Sequence, residues 1–284
     1  MILLKPISPL LSAIFMVAIT SQVSAQEITV IKDVKQTGKF TIANTLSYAP
    51  FEYIDENGKA AGFDIELATA AAKLMEAKLE IQTMPFSNQI PALVAGRNKV
   101  AWATFTVTEE RLKQVDFVSF LQSGVVVVTT PNKAAAFKMD NALCGKTIAL
   151  QTGSAADFVA DKVSESCTAA GLEIVNKALY PEQKDTIQAV ISGRVDARLD
   201  DSTAAGYFEK TTNGKQVVVG DAMLPSPLGV AIRKGDTETA NMMKAIFDKL
   251  IADGTYANIL RRYSLTTSAV NTSVIYTNAS QLAD

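Results

Sequence analysis

From Phe40 onward, short apolar runs alternate with segments whose apolar residues recur at helical spacing. Phe40 to Ala43 reads as a strand. Ile65 to Ala77 reads as a helix, because Leu67, Ala68, Ala71, Ala72, Leu74 and Met75 share one face at three- and four-residue spacing. Leu79 to Met84 follows as a strand, Asn88 to Ala95 as a helix that Gly96 terminates, and Val100 to Phe105 as a further strand. This βαβαβ order predicts a mostly parallel sheet with right-handed crossovers.

The pattern then restarts. Thr147 to Gln151 reads as a strand and Ala155 to Ala169 as a helix with Ala155, Phe158, Val159 and Val163 inward. Ile174 and Val175 mark a strand, Glu182 to Ser192 a helix, and Val195 to Leu199 a strand. Gly96-Arg97 before Val100-Ala101 is echoed by Gly193-Arg194 before Val195-Asp196-Ala197. The chain therefore reads as two similar α/β lobes. The β-branched run after Gly124 and the run Leu228 to Ile232 suit two strands passing between lobes, a natural hinge. Lobe one is expected over residues 26–122 plus 234–284, and lobe two over 123–233. A helix over Thr237 to Asp253 and a short one around Tyr256 to Tyr263 close the pattern. In open α/β sheets ligands bind outside the carboxyl ends of the strands, so two facing lobes enclose a cleft there.

The segment before this pattern has another character. Lys5, the apolar stretch Ile7 to Thr20 and Val23-Ser24-Ala25 describe a secretory signal peptide over residues 1–25, cut after Ala25. A membrane anchor is the alternative, but Pro9 interrupts the stretch, which is short for a span of about 20 residues. Export without an anchor implies the periplasm. Cys144 and Cys167 are expected to pair there rather than remain free thiols.

The chain contains no histidine, which removes histidine-based nucleophile relays and histidine metal sites. No P-loop or GxGxxG pattern is present, and a net charge of -2 gives no support to nucleic-acid binding. No metal or cofactor is expected, and binding is favoured over catalysis.

An amino-acid-like ligand presents a carboxylate and an ammonium, and a buried site must satisfy both. Thr104 to Arg111 runs from a strand end into a helix start, with hydroxyls at Thr104 and Thr106, a cap at Thr108 and a guanidinium at Arg111. That is a candidate anion site; a solvated arginine on a helix face is the alternative.

A set of short stretches carries more. They are Tyr48-Ala49-Pro50-Phe51-Glu52-Tyr53, Gly62-Phe63-Asp64-Ile65-Glu66-Leu67, Ile90-Pro91-Ala92-Leu93, Thr106-Val107-Thr108-Glu109-Glu110-Arg111, Gln114-Val115-Asp116-Phe117, Gln151-Thr152-Gly153-Ser154, Gly193-Arg194-Val195-Asp196-Ala197 and Ala252-Asp253-Gly254-Thr255-Tyr256. In these motifs and their order the chain resembles the bacterial extracellular solute-binding proteins of the polar amino-acid transporter class, family 3. The resemblance implies the type II periplasmic binding protein fold, with two α/β lobes joined by two hinge strands. It implies a monomer that captures an amino acid or derivative between its lobes and delivers it to an inner-membrane ABC permease.

The same resemblance assigns residues. Arg111 matches the arginine that binds the ligand carboxylate, Thr106 the hydroxyl beside it, and Thr104 the residue whose backbone faces the ammonium. Asp201 looks like the ammonium's partner; Asp200 is its rival, and strand alternation should point the two apart. Ser154 falls where a helix start donates N–H groups to the carboxylate, and Tyr48 and Phe86 match walls around the side chain. Basic-ligand members often carry an acid where this chain has Thr45, so a polar, uncharged side chain, such as that of glutamine or an opine-like conjugate, is expected. Arg198 departs from the pattern and either pairs with Asp200 or reaches into the cleft; Trp102 is either core or a stacking surface. Some relatives are periplasmic dehydratases acting on prephenate or arogenate, which leaves Glu52, Asp200 and Asp201 as conceivable general acids.

Overall fold

The computed structural model describes residues 28–282, so the predicted signal peptide lies outside the described residues. The chain begins with α1 (Lys32–Thr37), β1 (Lys39–Asn44) and the short strands β2 (Ser47–Tyr48), β3 (Glu52–Ile54) and β4 (Ala60–Ala61). Then come α2 (Phe63–Leu74), β5 (Lys78–Thr83), α3 (Phe86–Val94), β6 (Val100–Thr106) and the single turn α4 (Glu109–Leu112). The long β7 (Val115–Thr129) leads to β8 (Thr147–Gln151), α5 (Ala155–Ala169), β9 (Asn176–Tyr180), α6 (Gln183–Ile191), β10 (Ala197–Asp201) and α7 (Ser202–Thr211). The equally long β11 (Val217–Arg233) runs back to α8 (Thr237–Ala252), α9 (Thr255–Arg262) and β12 (Ile275–Tyr276).

One sheet runs β5-β1-β6-β11-β7-β10-β8-β9, with β12 also on β7, and β2-β3-β4 form a separate small sheet. At one end β1 pairs in parallel with β5 and β6; at the other β8 pairs in parallel with β9 and β10. These are the two α/β units that the alternating pattern predicts, fused through the antiparallel pair β7 and β11. Every residue of β6 is buried, as expected of a strand covered on both faces. Trp102 on β6 has no exposed surface and packs against Phe120 and Phe247; it is core, not cleft.

The main hydrophobic core gathers Ile42, Leu67, Trp102, Val230 and Phe247; another gathers Val127, Ile148, Leu150, Val159 and Leu199. Between them the β7–β11 ladder loses register between Val219 and Met223 and again between Met223 and Ser226. Beyond that break, Leu228 and Ile232 pair with Thr106 and Val100 of β6, and Leu228, Val230 and Ile232 join the first core. From Leu228 onward β11 therefore packs with the first core, within the stretch 123–233 that the sequence pattern gives to lobe two. Continuous apolar spacing through β11 hides the point at which it changes core.

Cys144 and Cys167 form a disulfide with Cα atoms 5.6 Å apart, tying the lead into β8 to the last turn of α5. Gly62 is demanded by close approach. A Cβ there would lie 2.2 Å from the Phe51 carbonyl oxygen, at a φ of 119°. The Phe63 and Asp64 N–H groups donate to the Pro50 and Phe51 carbonyls (2.9 and 2.8 Å), which seats the first turn of α2 on the strand start that carries Glu52.

Candidate functional site

A cleft with about 480 Å³ of empty space, counting its open mouth, lies between the two units. Thr45, Tyr48, Phe86, Thr104, Thr106 and Arg111 line it from the first, and Ser154 and Asp201 from the second. All of the sequence-predicted ligand residues therefore meet on one cavity. Glu52, Gln151, Gln183, Ala155, Ala156, Leu199 and Asp200 share the lining.

Arg111 is set by the helix start that the sequence suggested. The Thr108 hydroxyl accepts the Arg111 backbone N–H (3.3 Å) and caps α4. The guanidinium is buried against the rings of Phe86, Phe105 and Phe158, each 5.3–5.7 Å from its carbon. It donates to the Thr106 carbonyl (2.7 Å) and, across the cleft, to the Gly153 carbonyl (2.9 Å). Burial lowers its pKa to about 10, so it keeps its charge at neutral pH.

Opposite stands the first turn of α5. The Ser154 hydroxyl accepts the Asp157 N–H (3.2 Å), and Asp157 accepts the Gly153 N–H (3.0 Å). The Ser154 N–H itself donates to Gln151 (3.1 Å), so Ala155 and Ala156, both lining the cleft, offer the helix-start N–H groups that no intrahelical carbonyl accepts.

Asp200 and Asp201 keep the strand alternation, pairing across the ladder with Val126 and Val125, which belong to different hydrophobic clusters. β10 ends at Asp201, which stands at the N-cap position of α7 without a side-chain cap bond, and both residues border the cleft. Asp200 is already engaged. Arg198, fully buried, pairs with it, and the Tyr48 hydroxyl donates to it across the cleft (2.8 Å). Arg198 also donates to Gln216 (2.7 Å) and does not reach the ligand space. Asp201 has no salt bridge among the described residues; the Ser123 hydroxyl approaches it at 3.5 Å. Burial and then the adjacent Asp200 push its carboxyl up to about 7, against the pull of Arg111.

Thr104 turns its backbone through φ 53°, and its hydroxyl donates to Asp64 (2.9 Å) rather than entering the cleft. Thr45 accepts the Ser47 N–H (3.2 Å) and lies 3.4 Å from the Glu52 carboxyl. An acid therefore stands beside Thr45 after all, supplied by Glu52 two strands on. The expectation of an uncharged side-chain end rests on Thr45, on the lack of a further basic partner and on the flat surfaces of Tyr48 and Phe86, and does not weigh Glu52. Glu52 lies within the Tyr48–Tyr53 motif, and that nearness to the wall residue Tyr48 is the available signal.

The sequence model of the bacterial extracellular solute-binding proteins, family 3, matches residues 40–266. This chain belongs to that family. This solute-binding protein is 30% identical to the arginine-binding protein ArgT of Corynebacterium glutamicum, over 81% of its own length and 75% of the relative's. An ancestral amino acid-binding protein described as a precursor of cyclohexadienyl dehydratase superposes with a TM-score of 0.73 at 30% identity, over 81% of this chain and 97% of that one. An ancestral arginine-binding protein bound to glutamine gives 0.70 at 34% identity, over 80% and 97%. The solute-binding protein thus shares the two-lobed fold of binding proteins that have been solved with an amino acid in place.

Proposed function

We propose that this chain captures a single α-amino acid between its lobes, in the periplasm, and hands it to an inner-membrane ABC permease without altering it. One observation carries the reading. A guanidinium from one lobe and a carboxylate without a cation of its own from the other line the same closed cleft. Arg111, with the Ala155 and Ala156 N–H groups, takes the ligand carboxylate; Asp201, beside the Thr104 backbone, takes the ammonium. Tyr48, Phe86, Thr45 and Glu52 surround the side chain. Their polar atoms facing the space are mainly acceptors, which favours a side chain that offers N–H groups, as an amide or a guanidinium does. We assign residues 26–122 with 228–284 to lobe one and 123–227 to lobe two, and take the protein as a monomer.

A thermal-shift panel of amino acids tests this. Ligand at 100 times its dissociation constant adds about 2.7 kcal/mol to stability. Glutamine and arginine are expected to raise the melting temperature more than glutamate, which the cleft repels. Uniform shifts across the panel, or none, would sink the proposal. Prephenate incubated with the protein should yield no phenylpyruvate.

A further inference from the structure

Glu52 on β3 and Asp64 on α2 are both without exposed surface, and among the described residues neither makes a salt bridge. Gly62 holds them together by letting α2 start against Phe51. One hydroxyl touches both: Thr104 Oγ1 lies 2.9 Å from Asp64 Oδ2 and 3.3 Å from Glu52 Oε2. A threonine hydroxyl has one hydrogen. Once Thr104 donates it to Asp64, only a protonated Glu52 can bond to the same oxygen. Two bare carboxylates in this position would leave both charges buried and mutually repelled.

We propose that Glu52 and Asp64 form a proton-sharing pair behind Thr45 that matches its charge to the ligand's side chain. Beside a cationic end the pair keeps one proton and stays singly negative. Beside a neutral end that surplus charge is buried without a partner, so the pair takes a second proton from solvent. Burial raises both carboxyls, and Asp64 raises Glu52 further, so proton gain falls in the neutral range. The other groups facing the pair do not supply a cation. Thr45, Thr104 and the buried Trp102 indole N–H are neutral; Arg111 bonds to the Thr106 and Gly153 carbonyls and not to the pair, and Asp200 is held by Arg198. Asp201 adds a negative charge on the far wall. Only Glu52 of the pair reaches the cleft lining, so it reads the ligand while Asp64 stores charge behind it.

The inference rests on the amino-acid reading above, and the test separates the two. Calorimetry of the full chain at pH 7, in phosphate and in Tris, counts the protons exchanged on binding arginine and on binding glutamine. Glutamine is expected to take up as much as one proton more than arginine, since contributions from the shared α-amino and carboxylate ends cancel. Glu52→Gln should abolish that difference and weaken arginine at least tenfold relative to glutamine. Equal proton counts for two bound ligands in the unaltered protein overturn the inference, whatever the variant does. If only one of the two binds, its count is compared with that of Glu52→Gln. Loss of uptake for glutamine, or an unchanged count with weakened binding for arginine, supports the pair; any other pattern overturns it. If neither binds, the amino-acid reading itself falls, and the inference with it.

Discussion

Asp200 and Asp201 are neighbours in sequence, yet they face different obligations. Asp200 neutralises the fully buried Arg198 and receives the Tyr48 hydroxyl, whereas Asp201 makes no salt bridge among the described residues. Asp201→Asn and Arg111→Ala should each weaken ligand binding by about 2–5 kcal/mol, because each strands one ligand charge in the closed cleft. Asp200→Asn should act first on folding. It leaves Arg198 buried and unpaired, a loss of about 3–5 kcal/mol in a denaturant titration. Calorimetry that found Asp200→Asn the more damaging to affinity, in a protein as stable as the parent, would reverse the assignment. The place of Arg111 and Thr104 on the cleft is legible from one local segment, Thr104 to Arg111, and that of Asp201 only through the family resemblance. For Arg198 the sequence leaves two directions open, and the one toward Asp200 is the one taken, with Gln216, eighteen residues away, as its second partner. Glu52 was recognised only as a possible acid, since its place beside Thr45 depends on a turn between two strands too short to read.

The elements were most legible where a cap and a periodic face agree. α5 begins after the capping Ser154 and ends at Ala169, the limits its pattern gives. β9 was placed too early. Ile174 is exposed and Val175 buried as part of the approach, whereas the residues that pair with β8 are Asn176–Tyr180, a half-exposed edge run with little apolar contrast. The strand starting at Val195 in the pattern is shifted to Ala197–Asp201, which carries both aspartates to the strand's end. The last segment gave no periodic signal. It is held by specific polar contacts, with Ser273 donating to the Ser119 carbonyl (2.6 Å) and Ser119 accepting the Val274 N–H (3.1 Å). The Cys144–Cys167 bridge belongs to this scale, since it closes β8 and α5 into one loop with a sequence separation of 23. Reducing it should cost the second lobe about 3 kcal/mol in the chain-entropy picture. Thiol titration of the unfolded, unreduced protein should find none free, and the reduced form should melt earlier; two titratable thiols would contradict the pairing.

Across the whole molecule the lobes touch through direct hydrogen bonds. Ser47 donates to Glu182 (2.6 Å), Tyr48 to Asp200 and Arg111 to Gly153, all from one lobe to the other. Burial in the cleft and then the adjacent Asp200 raise the Asp201 carboxyl to about 7, above the ordinary aspartate value near 3.9, and opening the cleft to solvent would relieve the burial part. A carboxyl that holds its proton more tightly when closed favours closure in acid. The gain is complete below about pH 4 and is lost as pH rises through 7. Small-angle scattering of the ligand-free protein should therefore give a smaller radius of gyration at pH 5 than at pH 8. Asp201→Asn should remove that dependence. Identical parent curves at the two values would show that Asp201 does not govern closure of the empty cleft.

The path of β7 and β11 has a practical corollary. Because the chain crosses out and back, both of its described ends rest on the same body: Ile28 and Val30 pack on the first core, and Leu282 packs beside Phe105 and Phe117. Fluorophores attached near Ile28 and Leu282 would ride together and register little when the lobes move. A reporter of ligand capture needs one dye at a terminus and the other in a surface turn of the second lobe, such as Asn213-Gly214, where the distance between them changes with each cycle of opening and closing.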